Sequence, residues 1–242
     1  MAANPRARWV AVFNVVGRHL PAFRPTTIFD IGANAGDTTE IFAVRFPEAR
    51  VHAFEPVPSA YRQLQERMRP YPQVRCHELA LSDRTTSTWM EVPDNTRLAR
   101  IVSTPQGGRD AIQVRSMTGD AFSDQERIAR IDFLKVDTEG HDLDVLRGLE
   151  TMLAGQQVGL IDIEVGFLSD SDRQVPLGVV QEYLGGLGYL PFWLHERTLD
   201  LYFSGRPMLR RVNMVFVSRL LVDANTVEPR RLTRMREASE ET

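Results

Sequence analysis

Between Thr26 and Ser218 short β-rich runs alternate with helical runs, and no other feature of the chain limits its fold as strongly. Strand patterns fall at 26–31, 50–55, 74–79, 131–136, 159–164, 189–194 and 212–218. Helical spacing fills 37–46, 58–69 and 177–187; Pro70 and Pro72 end the second of these, and Gly185-Gly186 stops the third. A helix carrying Leu143, Leu146, Leu149 and Leu153 joins the strands at 131–136 and 159–164. Parallel neighbours need a crossover between them, and helices of this length supply it. The pattern predicts an α/β fold, a doubly wound and mostly parallel sheet with helices on both faces.

Two stretches break the rhythm. Residues 84–117 hold short extended runs between the turns Pro93-Asp94-Asn95 and Gly107-Gly108, which predicts a β-rich insert rather than a separate domain. Residues 219–242 carry five arginines and five acids with few apolar anchors, the composition of a loose or partly helical tail. At the other end, within residues 1–25, Trp9, Val12, Phe13, Val16 and Leu20 make one apolar stripe and predict a packing helix over 6–20. Arg6 and Arg8 ahead of an apolar run imitate an export signal, but Asn14, Arg18 and His19 interrupt it and no small-residue cleavage site follows. No run approaches the roughly 18 apolar residues that cross a bilayer. The expectation is a cytoplasmic protein with one domain over 26–218. A net charge of −3 offers no basic excess for a nucleic-acid backbone, and the single cysteine, Cys76, excludes a disulfide scaffold.

In an open parallel sheet, ligands bind beyond the C-terminal ends of the strands at the switch point. After the first strand comes Asp30-Ile31-Gly32-Ala33-Asn34-Ala35-Gly36-Asp37, small residues that let the backbone approach a ligand. After the second comes Glu55-Pro56, an acid 23 residues beyond Gly32, suited to accept both hydroxyls of a ribose. After the third comes Leu81-Ser82-Asp83, suited to flank an adenine and bond its exocyclic amine. Together they describe a pocket for an adenosine-containing ligand. A nicotinamide dinucleotide site prefers a second glycine that clears room for the pyrophosphate, and Asn34 stands there instead. The spacing therefore favours S-adenosylmethionine; a tight turn with no ligand is the plainer alternative for the glycine loop alone.

Four blocks are similar to the FkbM family of S-adenosylmethionine-dependent methyltransferases: 29–36, Phe54-Glu55-Pro56, Ala80-Leu81-Ser82-Asp83, and 131–141 with Asp137-Thr138-Glu139-Gly140-His141 at its end. The resemblance covers residues 26–165; Thr138 and Asp142 replace the family's usual valine and glutamate. It implies a class I methyltransferase (Rossmann-like) fold with a seven-stranded sheet. It also implies O-methylation of a sugar, glycoside or polyketide-like metabolite. Asp30, Gly32, Asn34 and Gly36 are then expected at the methionine end, Glu55 and Pro56 at the ribose, Ser82 and Asp83 at the adenine, and Asp137 in the same cofactor-binding set.

A hydroxyl attacks a sulfonium methyl only as its proton leaves, so a base is required. His141, Glu139, Asp137 and Glu164 all fall near strand ends. His141 is the first candidate because it titrates near working pH, with Glu139 orienting it or holding the acceptor; capping and loop bonding are the structural alternatives. Magnesium on Asp137 and Glu164 is a variant that lacks the usual third oxygen ligand, and no metal site is assigned. Lys135, the one lysine, and His52 read as structural, Trp89 and Trp193 as core, and Cys76 as a small buried apolar residue. His19, His77 and His195 have no partner at metal-ligand spacing. The expected partner is a small hydroxyl-bearing acceptor, with neither nucleic acid nor membrane; a homodimer stays open. The competing readings are a non-catalytic partner subunit of the same fold and, disfavoured by Asn34, a nicotinamide-linked oxidoreductase.

Overall fold

The computed structural model describes residues 5–102, 104, 111–167, 173–199, 201, 205 and 207–226. Helix α1 (Pro5–His19) leads into β1 (Thr27–Ile31), α2 (Asp37–Arg45), β2 (Arg50–Phe54), α3 (Pro58–Met68) and β3 (Val74–His77). Then come β4 (Ala80–Leu81), β5 (Thr86–Glu91), a 3-10 turn (Thr96–Leu98), β6 (Arg100–Val102) and β7 (Ala111–Met117). The chain continues through α4 (Gly119–Glu126), β8 (Ile131–Val136), α5 (Asp142–Arg147), α6 (Glu150–Ala154), β9 (Val158–Gly166) and β10 (Val175–Pro176). It closes with α7 (Leu177–Gly186), β11 (Tyr189–Leu199), β12 (Leu209–Ser218) and α8 (Arg219–Ala224).

The main sheet runs β11-β12-β9-β8-β1-β2-β3, with the two-residue β10 added beside β9 as an eighth strand. From β3 to β9 every pairing is parallel, and β12 runs antiparallel to both its neighbours. The order reverses between β1 and β8, so the crevice at their C-terminal ends is the switch point. Side chains alternate across each strand. Ile28 and Phe133 pack on one face with Trp9, Phe13 and Phe42; Phe29 and Leu134 pack on the other with Phe122, Leu146 and Leu153. Trp9, fully buried, stands edge-on to Phe42 and Phe133, so α1 packs its apolar side against the sheet.

The structure departs from the expected pattern in three places. The insert is a second sheet of order β4-β7-β5-β6 that starts at Ala80, before the expected 84, because Ala80 and Leu81 pair with β7. The helix with the leucine spacing is two helices, α5 and α6, broken around Gly148. There a Cβ would stand 1.9 Å from the Ser82 carbonyl oxygen, so backbone contact fixes the break while the leucines keep facing the core. Trp89 and Trp193, read as core, are 38% and 41% exposed, on the insert and on the outer strand β11. Of the tail, 219–224 form α8, while 227–242 lie outside the described residues. Among the described residues no helix is long and apolar enough to cross a membrane.

Candidate active site

The glycine loop takes its shape from backbone contacts. Gly32 has φ 75°, and a Cβ there would stand 1.9 Å from the Asp137 carbonyl oxygen. The amides of Gly32 and Ala33 both donate to the Phe54 carbonyl, at 3.1 and 3.0 Å, which ties the loop to the end of β2. Asn34 is left-handed at φ 47°, a conformation asparagine tolerates better than most residues. This turn aims its amide at Glu55 Oε2, 2.8 Å away, while Val57 N donates to Oε1 at 2.8 Å. Burial raises the Glu55 carboxyl to about 6, and the two amides act against that shift. Both oxygens are thus oriented, and each keeps a lone pair for a ligand hydroxyl.

A cavity of about 370 Å³ opens beside this loop, at the lower end of the range for small-ligand sites. Leu79, Leu81, Met90 and Ile101 make an apolar end, Glu55 and Pro56 stand in the wall, and Asp137, Glu139, Glu164 and Arg211 make a charged end. Of the expected residues, Gly32, Asn34, Glu55, Pro56, Asp137, Glu139 and His141 line it together. Asp30, Gly36, Ser82 and Asp83 are not in the wall. Asp30 is buried beneath the loop, accepting from Thr39 Oγ1 at 2.6 Å and pairing with Lys135 Nζ at 3.1 Å. Gly36, at φ 85°, caps α2 where a Cβ would meet Leu64 of α3 at 2.8 Å. Ser82 Oγ lies 2.9 Å from His141 Nε2 and 3.1 Å from Asp83 Oδ1.

The charged end is a set of paired groups. Lys135, only 3% exposed, donates to the Gly32 carbonyl at 3.2 Å and lies 3.5 Å from Asp137 Oδ2. Burial pulls its ammonium down, but Asp30 and Asp137 outweigh that and hold it at about 12. It is the cationic floor under the switch point. His141 immediately precedes α5, with Nδ1 3.2 Å from Asp144 and Nε2 against Ser82, and burial lowers its pKa. Glu139, at φ 54°, accepts from Arg173 at 3.1 Å, and burial raises its carboxyl. Glu164 accepts from Gln174 at 3.0 Å and pairs with Arg211; burial, then Asp137, raises it to about 7. A cation on Asp137 and Glu164 would therefore compete with Lys135 and Arg211 for the same oxygens.

Sequence reasoning missed Thr96, Arg97 and Leu98 from the insert, and Glu196 and Arg211 from the last two strands, all in the cavity wall. They carry no local motif; only the tertiary fold brings them to the switch point. Elsewhere His195 pairs with Asp162 at 2.5 Å beneath the site, and the buried His52 Nδ1 lies 3.1 Å from Nε2 of the half-buried His77. Cys76 is half-buried rather than fully buried, and burial pushes its thiol up to about 11.

Comparison with known proteins gives a relative named Methyltransferase 1, from Beauveria bassiana, 26% identical over 168 residues, covering 60% of this chain and 65% of the relative. The hexuronic acid methyltransferase AglP of Haloferax volcanii is 27% identical over 141 residues, 57% of this chain and 56% of its own. The chain thus spans 65% and 56% of the length of these two relatives. Among solved structures, the N-terminal domain of EvdMO1, crystallised in the presence of SAH and D-fucose, superposes with a TM-score of 0.51 at 13% identity, over 90% of this chain and 84% of that one. At that identity the likeness is one of fold, the class I methyltransferase arrangement. The Methyltransferase FkbM domain pattern matches residues 30–191, most of the chain, which belongs to that family.

Proposed function

We propose that this chain transfers a methyl group from S-adenosylmethionine to a hydroxyl of a sugar-containing or related small acceptor. The observation that carries the reading is Glu55, a buried carboxylate oriented by two backbone amides in the wall of the cavity, between its apolar and charged ends. The residues present fit the cofactor: Leu79, Leu81 and Met90 suit a purine, Glu55 a ribose diol, and the polar groups around Asn34 and Asp137 a zwitterionic amino acid. When bound, the cofactor supplies an electrophilic methyl on a positively charged sulfur. The chain's part is to align an acceptor oxygen with it, exclude water and remove the hydroxyl proton. Glu164 and His141 both line the cavity, and Glu164 is the better-suited proton acceptor because burial, then Asp137, lifts it to about 7 while burial lowers His141. His141 has both ring nitrogens directed at Asp144 and Ser82, and its role in this reading is to hold the 82–83 turn behind the cavity. A sugar acceptor is supported by the name of the relative from Haloferax volcanii.

Calorimetric titration with S-adenosylhomocysteine tests the reading. Micromolar binding to the intact chain, weakened at least about tenfold in Glu55→Ala by loss of hydrogen bonds to a charged group, is expected. Absence of binding to the intact chain would refute it.

A further inference from the structure

Five consecutive residues of the insert, 95–99, form one wall of the cavity. This wall is fastened to the glycine loop twice. Asn34 Nδ2 donates to Thr96 Oγ1 at 3.0 Å, and the Arg97 guanidinium pairs with Asp37 in the first turn of α2. The second fastening is redundant for Asp37. Its other oxygen is taken by Arg67 of α3, which also reaches Glu40 at 3.4 Å and the Ala35 carbonyl at 3.2 Å. Although burial acts the other way, Arg97 and Arg67 together hold the Asp37 carboxyl below its ordinary value.

Among the described residues three cations line the cavity: Lys135, Arg211 and Arg97. Lys135 is buried and committed to Asp30, Asp137 and the Gly32 carbonyl. Arg211 neutralises Glu164, whose side chain is 12% exposed, so removing it would strand a largely buried carboxylate. Arg97 differs from both. Its side chain is 63% exposed, and an exposed ion pair of this kind is worth at most about 1 kcal/mol. If it leaves, Asp37 still has Arg67. A guanidinium at a cavity wall with so small a cost of release is suited to grip a ligand carboxylate with two parallel N–H donors.

We infer that Arg97 binds the α-carboxylate of the cofactor's amino-acid end, exchanging Asp37 for the ligand when the cavity fills. The inference rests on the proposed reading of the cavity as an S-adenosylmethionine site. It makes the insert part of the cofactor site: Thr96 stays on Asn34 while the neighbouring arginine changes partners, so the wall at 95–99 closes against the occupied cavity.

The test compares two ligands that share a nucleoside and a thioether. S-adenosylhomocysteine carries the amino-acid end, and 5′-deoxy-5′-methylthioadenosine lacks it. Each is titrated calorimetrically into the full chain, Arg97→Ala and Arg97→Lys, with thermal unfolding confirming that the variants fold. Arg97→Ala is expected to weaken S-adenosylhomocysteine about 10- to 100-fold and to leave the truncated ligand within about twofold. Arg97→Lys, which keeps the charge without the planar fork, should recover part of the loss. Equal weakening of both ligands would make Arg97 a prop for the wall and overturn the inference. Unchanged binding of both would put the carboxylate elsewhere and overturn it too. If the intact chain bound neither ligand, the cofactor reading itself would fall, and the role of Arg97 with it.

Discussion

Glu164 ends up with a neutral amide on one carboxylate oxygen and a guanidinium on the other, while burial and Asp137 oppose its charge. A base held near neutrality in this way takes a proton from a hydroxyl more readily than an ordinary glutamate would. Turnover should therefore rise with pH through about 7, as Glu164 ionises, provided that it is the proton acceptor. Glu164→Gln should lower the rate about 10²- to 10⁴-fold and flatten that limb, with S-adenosylhomocysteine affinity retained. His141→Asn should cost far less. Methyl-transfer rates across pH for the two variants check both statements, and a larger loss in the histidine variant would return it to the role of base. At this scale the sequence disclosed what sits contiguously at strand ends: Gly32, Glu55, Glu139 and His141 all reach the cavity wall. It could not disclose Arg97 or Arg211, each of which enters through the packing of a segment far along the chain.

The two-part crossover between β8 and β9 carries the clearest lesson about elements. Leucines at 143, 146, 149 and 153 are compatible with one continuous helix, and all four serve the core on that side. The break at Gly148 comes from the Ser82 carbonyl on the insert side, a contact no helical periodicity encodes. Gly148→Ala should force α5 away from the 82–83 turn and cost about 1–3 kcal/mol of unfolding free energy. Gly178 in α7 is the control, because nothing lies within 4 Å of a Cβ there. Gly178→Ala should be neutral or stabilising by up to about 1 kcal/mol. Denaturant unfolding of the two variants measures the contrast, and equal effects would show that the close approach at Gly148 is not what splits the helix. The alternation of strands and helices was legible because sidedness repeats along every strand. The exposed Trp193 was not, since an edge strand and a central strand carry similar residues.

Stability of the whole molecule should depend on pH through two opposing sets of groups. His52, fully buried, and His77, half-buried on β3, stack with ring planes 5° apart, and burial lowers them to about 3 and about 4. Both fall below their unfolded value of 6.5, so the unfolded chain binds protons that the native chain refuses. Their contribution is complete above about pH 6.5 and lost progressively toward pH 3–4. Glu55, Asp142 and Glu164 are raised by burial to about 6, 6 and 7, and favour the folded state as pH falls through that range. Between pH 7 and 4 the histidine pair should cost on the order of a few kcal/mol. A His52→Leu/His77→Phe chain should lose less stability than the parent over that interval, whatever its stability at pH 7. Equilibrium unfolding at several pH values decides it; parallel curves for the two chains would remove the pair from the account.

The one lysine of the chain lies under the switch point, 3% exposed and held by two carboxylates and a carbonyl. A reagent for primary amines consequently finds one side-chain target besides the terminal amine, and finds it freely only when the cavity floor comes apart. Native-state acylation of Lys135, read by peptide mass so that it is separated from the terminal amine, is then a clock for local opening at the heart of the sheet without any engineered probe.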